Sequence, residues 1–252
     1  MATLSVIIVA KNEAHNIVDC VNSCSFANEI IVLDSGSTDG TPDLARQSGA
    51  KVIETDWPGF GIQKQRALSH ASGDWVLSID ADERVSTALQ HEILNVLQNP
   101  QFDGYQIPRL SSFCGTFIQH SGWRPDYTLR LVQKRLAGFT NHQVHEHMTV
   151  AGAQSRLKES LVHYSYRNLN DVLQKMNRYS SAGALDLRNK NKSKTGLIQA
   201  LSHGFWAFVR TYFLRAGFMD GAVGLMLAIY NAECTYYKYL KFREMNRQIS
   251  ES

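Results

Sequence analysis

The sequence predicts an α/β fold in which a mostly parallel sheet passes into a mixed continuation and then into a C-terminal helical extension. Short β-branched runs alternate with helix-compatible segments over the first hundred residues, which is typical of a parallel sheet covered on both faces. Beyond that point, short strand-like pieces separated by loops replace the alternation, and the chain after residue 168 is helix-compatible and increasingly aromatic. We therefore predict three segments, 1–98, 99–167 and 168–252, of which the first two are halves of one domain.

The first segment contains four predicted strands and four predicted helices. The strands are short apolar runs at 5–10, 29–34, 51–56 and 75–80. The helices are expected at 13–25, 41–48, 61–71 and 86–98. Thr41 and Pro42 are typical of a helix N-cap followed by the first helical residue. On the third helix, the spacing places Ile62, Ala67 and Leu68 inward.

The later segments contain shorter strands and longer helices. Strands are expected at 104–110, 127–133, 144–150 and 157–163. Helices are expected at 168–188, 195–214 and 221–247. The last strands continue the sheet, and the helices form the extension.

Composition excludes several classes of protein. The chain has 252 residues with 26 basic and 23 acidic side chains, and this balance does not indicate nucleic-acid binding. Cys20 and Cys24 lack a second Cys/His pair and are expected to be small core residues rather than zinc ligands. No signal peptide is recognisable and no run reaches about 18 uninterrupted apolar residues, so we expect a cytosolic protein without a simple transmembrane helix.

Polar side chains follow three of the predicted strands where each strand ends. Asp34 ends "EIIVLD", Asp80 ends "WVLSID", and Lys11, Asn12 and Glu13 follow the first strand. Ligands of open α/β sheets bind beyond the carboxyl ends of the strands. These residues therefore predict a nucleotide site on one rim, although "DSGSTDGT" is also compatible with an ordinary turn.

The "DAD" stretch predicts a metal site. On an extended segment, Asp80 and Asp82 point the same way and repel each other unless a cation lies between them. Oxygen ligands favour Mg²⁺ or Mn²⁺, with phosphate oxygens completing the shell. The alternative is a solvated turn in which Asp82 or Glu83 faces the N-terminus of the helix after Ser86.

The stretches "SVIIVAKNE", "IIVLDSGSTDGT" and "GDWVLSIDADE" together resemble the N-terminal half of a family 2 glycosyltransferase. The resemblance covers residues 4 to about 98 and implies the GT-A fold, with a Rossmann-like nucleotide-binding sheet, and metal-dependent, inverting transfer. It implies that Asp34, Asn12 and Glu13 contact the nucleoside and that Asp80 and Asp82 hold the metal and the sugar diphosphate. The first segment is then the nucleotide-sugar-binding half and the second the acceptor-binding half. Lys64 is expected on a helix before the DxD strand, from which it could reach the phosphates. The alternative is that it belongs to the solvated face of that helix.

The stretches "GWRPDYTLRLVQKR", "NHQVHEHM" and "HYSYRNL" resemble the branch that adds glucose to the inner core of lipopolysaccharide. This resemblance implies UDP-glucose as donor and a core heptose as acceptor. Processive members carry a QxxRW motif, and no tryptophan here follows an arginine. We therefore expect transfer of a single sugar.

Inverting transfer needs a base for the acceptor hydroxyl. We predict Glu146 for this role, which the family gives to an acidic residue after the DxD strand, with Asp126 as the second candidate. Glu146 is also compatible with a structural contact to a neighbouring histidine. By the resemblance, His163 is predicted to complete the metal shell. The cluster "HQVHEH" lacks the HExxH spacing, which argues against a zinc hydrolase.

Three other functions remain open at this point. The first is a polyprenyl-phosphate glycosyltransferase of the same fold, and the second is a sugar nucleotidyltransferase, although "AKNEAHN" lacks its glycine-rich loop. The third is a non-catalytic membrane-bound scaffold. Leu201, Phe205, Phe208 and Tyr212 form an aromatic stripe near several basic residues, which favours peripheral attachment to the cytoplasmic face of the inner membrane. Packing against the catalytic domain, or a dimer contact, is the alternative.

Overall fold

The computed structural model describes residues 2–140, 147–190 and 196–250. The chain forms two compact units, each made of two chain segments. The first unit contains Met1–Leu110 and Pro125–His163, and the second contains Ser111–Arg124 and Tyr164–Ser252. The functional boundaries predicted at 98 and 167 remain a prediction.

The parallel half of the first unit follows the predicted order closely. The strands are β1 Leu4–Ala10, β2 Glu29–Asp34, β3 Lys51–Glu54, β4 Trp75–Asp80 and β5 Glu83–Val85. The helices between and after them are α1 Ile17–Ser23, α2 Thr41–Gln47, α3 Phe60–His70 and α4 Thr87–Gln98. Strands β3, β2, β1 and β4 lie side by side and pair in parallel, so β1 is central.

The mixed continuation contains more strands than we predicted. Its strands are β6 Gly104–Phe113, β7 Thr116–Phe117, β8 Asp126–Gln133, β9 Ala137–Phe139, β10 Met148–Val150, β11 Gln154–Arg156 and β12 Leu161–Tyr166. Strand β8 pairs antiparallel with β4 and with β6, so it joins the two halves of the sheet. We missed β5, β7, β9 and β11, because strands of two or three residues are too short to show a period. Part of the strand predicted at 144–150 lies outside the described residues.

Both faces of the sheet are covered, as predicted. On β1, Val6 and Ile8 are fully buried on one side with Ile93 of α4. Ile7 is buried on the other side with Leu68 of α3. Cys20 and Cys24 are buried, unpaired members of the first of these clusters, which confirms that they are core residues.

Two local predictions are wrong. Gly40, with φ 84°, precedes α2 in the cap position, and Thr41 is already helical. The Thr41 hydroxyl instead accepts a hydrogen bond from the backbone N of Glu13 and donates one to Asp39. It is therefore used in contacts between loops and does not cap the helix. Ile62 is exposed rather than inward, whereas Ala67 and Leu68 are buried.

The second unit is mainly helical. Its helices are α5 Leu169–Asn189, α6 Leu197–Val209 and α7 Gly221–Ser250. Asn168 caps α5 by accepting a hydrogen bond from the backbone N of Asp171 at 3.0 Å. Among the described residues, no single helix is long and apolar enough to cross a membrane. Two consecutive helical segments, Leu197–Leu214 and Gly217–Arg247, are long and apolar enough when they are taken together, and they are bent by 71° relative to each other.

Candidate active site

Three strand ends meet at one rim of the first unit, as the sequence predicted. In the β1–β2 pairing, Ala10 lies opposite Asp34, and in the β1–β4 pairing, Val9 lies opposite Asp80. The chain leaves β1 through Lys11, whose ammonium lies 6.0 Å from the ring centroid of Trp57. The residues predicted to bind a nucleotide sugar therefore share one edge of the sheet.

The loops after β1 and β2 are hydrogen-bonded to each other. Asn12, with φ 56°, accepts a hydrogen bond from the backbone N of Thr38 at 2.9 Å through its side-chain oxygen. The backbone N of Asn12 donates to the Ser37 hydroxyl at 2.8 Å, and that of Ala14 donates to Asp39 at 3.0 Å. These hydrogen bonds hold the two loops together at the rim where we predicted a nucleotide site.

Asp34 shapes the turn that follows β2. Asp34 is 1% exposed, and its carboxylate accepts hydrogen bonds from the backbone N of Gly36 at 3.0 Å and from the backbone N of Ser37 at 2.8 Å. The Ser37 hydroxyl donates a third at 2.5 Å. The contact of Asp34 with a nucleoside stays a prediction.

Asp80 lies between two cations at the end of β4. Lys64 Nζ is 3.0 Å from Oδ1, and Arg130 Nη2 is 2.9 Å from Oδ2. Burial alone would raise the pKa of Asp80, but the charges of Lys64 and Arg130 outweigh it and hold this pKa well below its usual range. Lys64 therefore contacts the site and does not belong to a solvated face.

Glu83 is the buried centre of this charge network. Its side chain is fully buried in β5, 2.7 Å from Arg130, and it accepts a hydrogen bond from the backbone N of Asp80 at 2.8 Å. Burial raises the pKa of Glu83, although the charge of Arg130 opposes the shift. Glu83 thus does not face the next helix, which Ser86 caps by accepting from the backbone N of Leu89.

Arg130 joins Asp80 to Glu83 and is not among the site residues that we predicted from the sequence. The available signal was an arginine inside the apolar strand "TLRLV", because a buried arginine requires carboxylate partners. Its position on β8, next to β4, brings it to the end of the DxD strand. No local pattern indicates that pairing.

Asp82 lies in a turn rather than on an extended segment, since β4 ends at Asp80 and β5 begins at Glu83. Asp80 and Asp82 therefore do not point the same way by strand alternation, contrary to our prediction. Asp82 Oδ2 lies 3.4 Å from His163 Nε2, because β12 pairs with β5 and places His163 opposite Glu83. The structure thus brings together two of the three predicted metal ligands.

The donor set fits a hard divalent cation in part. Within residues 2–140, 147–190 and 196–250, no group of three or more His, Cys, Asp or Glu side chains is arranged to hold a metal ion. Mg²⁺ commonly takes only one or two carboxylates and completes its octahedral shell with substrate phosphates and water. Asp82 and His163 lie together and are partly exposed, at 26% and 14%, whereas Asp80, although 34% exposed, has both carboxylate oxygens engaged by Lys64 and Arg130.

Asp126 is the predicted catalytic base that lies among the described residues. Asp126, at the start of β8, accepts hydrogen bonds from Arg109 Nε at 2.9 Å and Nη2 at 2.5 Å. Glu146 lies outside the described residues. Its role as base, and that of Asp126, stay predictions.

A cavity of about 640 Å³ opens beside Asp80 within the first unit. Lys64, Arg109, Arg130 and His147 line it, together with side chains of β6, β8 and β10. Asp80 therefore borders a space large enough for a sugar.

Comparison with known proteins assigns the chain to a family. The profile of glycosyl transferase family 2 matches residues 5–161. An uncharacterized glycosyltransferase of Rickettsia felis is 32% identical over 260 residues, covering 97% of this chain and 90% of that protein. The lipopolysaccharide core biosynthesis glycosyltransferase LpsC of Rhizobium meliloti is 27% identical, covering 94% and 93%.

The fold is also found among solved structures. Residues 1–349 of S. aureus TarS superpose with a TM-score of 0.50 at 16% identity, covering 98% of this chain and 91% of that chain. The predicted fold, with its mostly parallel sheet, mixed continuation and helical C-terminal part, is confirmed. With a profile match over most of the chain and a relative of matching length, the chain belongs to glycosyl transferase family 2 and is a glycosyltransferase.

Proposed function

We propose that this glycosyltransferase moves one glucose from UDP-glucose, with inversion, onto a heptose in the inner core of lipopolysaccharide. The observation that carries the chemistry is the position of Asp80, which ends a strand at the nucleotide rim and also borders the cavity. The lipopolysaccharide acceptor is supported by the similarity to LpsC over nearly the whole length of both chains. Single-sugar transfer rests on the missing QxxRW motif.

The leaving diphosphate needs positive charge as the glycosidic bond breaks. Asp82 and His163 would hold a Mg²⁺ or Mn²⁺ ion, which supplies part of that charge when bound. Asp80, the third predicted ligand, would join them only through an oxygen that Lys64 or Arg130 releases. Lys64 adjoins Asp80 and contributes a second positive charge toward the phosphates. Arg130 and Glu83 orient Asp80 from behind through the buried network.

The acceptor hydroxyl must lose its proton to a carboxylate. Glu146 is the proposed base. Arg109 engages Asp126 through two N–H groups, which makes Asp126 an ion-pair partner first and a base second. If Glu146→Gln keeps donor binding but abolishes transfer, the assignment stands; if Asp126→Asn alone abolishes transfer, it moves to Asp126.

The proposed location is the cytoplasmic face of the inner membrane, where the acceptor is assembled on a lipid. The basic, aromatic helices of the second unit support peripheral attachment. Membership of a glycosyltransferase family removes the sugar nucleotidyltransferase alternative. The polyprenyl-phosphate acceptor remains as the competing proposal, because it uses the same donor chemistry.

A donor and acceptor screen tests this function. Purified protein with Mg²⁺ or Mn²⁺ is offered a panel of sugar nucleotides, with either heptose-terminated lipopolysaccharide core or polyprenyl phosphate as acceptor. We expect release of UDP from UDP-glucose that depends on the core acceptor and on metal. Transfer only to polyprenyl phosphate would replace the acceptor, and transfer that persists in EDTA would reject the metal.

A further inference from the structure

We propose that the corner between α6 and α7 inserts shallowly into the surface of an anionic lipid bilayer. The apolar corner consists of Phe213, Leu214, Phe218 and Met219, whose exposed fractions are 56%, 65%, 52% and 61%. Large apolar side chains exposed side by side in this way mark an interaction surface. The proposal deepens the proposed membrane location and does not depend on which sugar is transferred.

The corner is a tightly built turn. Helix α6 ends in a π-helical turn, Arg210–Leu214, followed by Ala216 with φ 52° and a 3-10 turn, Gly217–Asp220. A Cβ atom on Gly224 would lie 1.8 Å from the backbone oxygen of Gly217, so α7 starts in direct backbone contact with the corner. The four apolar side chains are therefore presented by a closely packed backbone.

Asp220, the acid next to Met219 of the corner, is directed into the protein. The Asp220 side chain is 4% exposed, and its carboxylate accepts hydrogen bonds from the backbone N of Gln119 and of His120. The Ser121 hydroxyl donates another at 2.8 Å. Asp220 thus stabilises the second unit and contributes no accessible negative charge to the corner.

Charge identifies the occupant of this surface. Between Leu197 and Asn231 the sequence contains Asp220 as its only acid, and its two arginines are Arg210 and Arg215. Arg210 and Arg215 flank or lie within the corner and are exposed. A cationic, apolar surface matches anionic lipid, whereas a second copy of the same surface would repel it.

The outer face of α6 extends the apolar corner. Ile198, Leu201 and Phe205 are exposed to 81%, 54% and 70% and lie on one side of the helix. Phe208 and Tyr212, which we predicted to belong to the same stripe, are half-buried and stack with their ring centroids 5.6 Å apart. The surface therefore has one exposed face supported by a layer of stacked rings.

The lengths of the arms limit the depth of insertion. Helix α6 together with the π-helical turn that continues it, Leu197–Leu214, spans at most about 27 Å, which is still less than the ~30 Å hydrocarbon core of a bilayer. On α7 the apolar run ends at Glu233, and Arg215 lies within the corner itself. An arginine is costly in the bilayer centre, so the corner reaches only the boundary between headgroups and acyl chains.

Vesicle binding by the full chain tests the proposal. The corner variant is Phe213→Ser, Leu214→Ser and Met219→Ser together. The matched control, Leu169→Ser, Leu173→Ser and Leu185→Ser, removes three leucines of α5 that are also exposed, but beside acids such as Asp171. Binding is measured by flotation with vesicles that contain about 30% anionic lipid. The partition coefficient of the corner variant into these vesicles should be at least ~30-fold lower than that of the wild type. The control should stay within ~3-fold of the wild type.

A depth measurement provides a second readout. Because the chain has four tryptophans of its own, including Trp206 on α6, each variant is compared with the wild type. Leu214→Trp should add fluorescence that lipids brominated near the headgroup quench, whereas the fluorescence that Leu173→Trp adds should not be quenched. Equal flotation of both triple variants, or no flotation of the wild type, would overturn the proposal. So would a dimer that the corner variant alone loses, with vesicle binding unchanged. UDP-glucose binding measured on the same variants should not change, which separates this test from that of the proposed function.

Discussion

Replacing Arg130 with methionine should destabilise the first unit strongly. The Arg130 guanidinium is 8% exposed and lies 2.9 Å from Asp80 and 2.7 Å from Glu83, whose side chain is fully buried. Methionine fills a similar volume but leaves Glu83 without its nearest cation. Removing one partner of a buried ion pair costs about 3–5 kcal/mol, because the other charge remains buried and uncompensated.

Arg46 offers a matched control. It also contacts two carboxylates, those of Asp43 and Glu54, but all three side chains are about half exposed or more, at 45%, 73% and 58%. Solvent screens such pairs, so Arg46→Met should leave the unfolding curve unchanged. The two variants differ in burial and not in the number of ionic contacts.

Urea unfolding followed by circular dichroism measures the difference. A loss of 3–5 kcal/mol corresponds to a fall of at least about 1 M in the urea midpoint. Adding Glu83→Gln to Arg130→Met should recover much of the loss, because it removes the stranded charge. A midpoint for Arg130→Met that matches that of Arg46→Met would refute the reasoning that this network is buried and coupled.

Three further predictions follow from other contacts. Asp82→Asn should lower metal-dependent UDP release by about 10²-fold with unchanged melting temperature, and undiminished, EDTA-insensitive turnover would contradict it. Burial alone would raise the pKa of Glu29, but hydrogen bonds from strand β1 and from Ser72 outweigh it and hold this pKa below its usual range. The stabilisation of the fold by the ionised Glu29 carboxylate is therefore present at neutral pH and is lost as the pH falls through the folded-state pKa. Glu29→Gln should cost about 1 kcal/mol at pH 7, measured by urea unfolding, and the difference from the wild type should shrink as the pH is lowered through the folded-state pKa; a difference that stays constant with pH would contradict it. Gly224→Ala should destabilise the chain by about 1–3 kcal/mol in thermal melts, since its Cβ would meet the backbone of Gly217, and an unchanged melt would show that α7 shifts freely.

The parallel half of the fold was predictable from the sequence because its signals are local. Strands β2 and β4 begin and end at the predicted residues, since a continuous apolar run ending in aspartate marks both the strand and its edge. The helix cap at Ser86 was likewise predictable from a polar residue before an apolar period. The shared rim of Asp34 and Asp80 follows from parallel order alone.

The charge network at Asp80 was decided by tertiary structure. Arg130 is 50 residues away in sequence and reaches Asp80 only because β8 pairs antiparallel with β4. His163 meets Asp82 only because the three-residue strand β5 pairs with β12. Strands this short carry no periodic signal, and which strands pair depends on the packing of the whole sheet.

The sequence by itself therefore determined which residues end the strands at the rim, and with them the family and the class of reaction. The tertiary structure alone decided how those residues are charged and oriented. It placed Asp80 between Lys64 and Arg130, and it buried Glu83 behind them. The physical reason is that strand ends follow from local hydrophobic patterns, whereas ion pairs depend on distances across the sheet that only the folded chain defines.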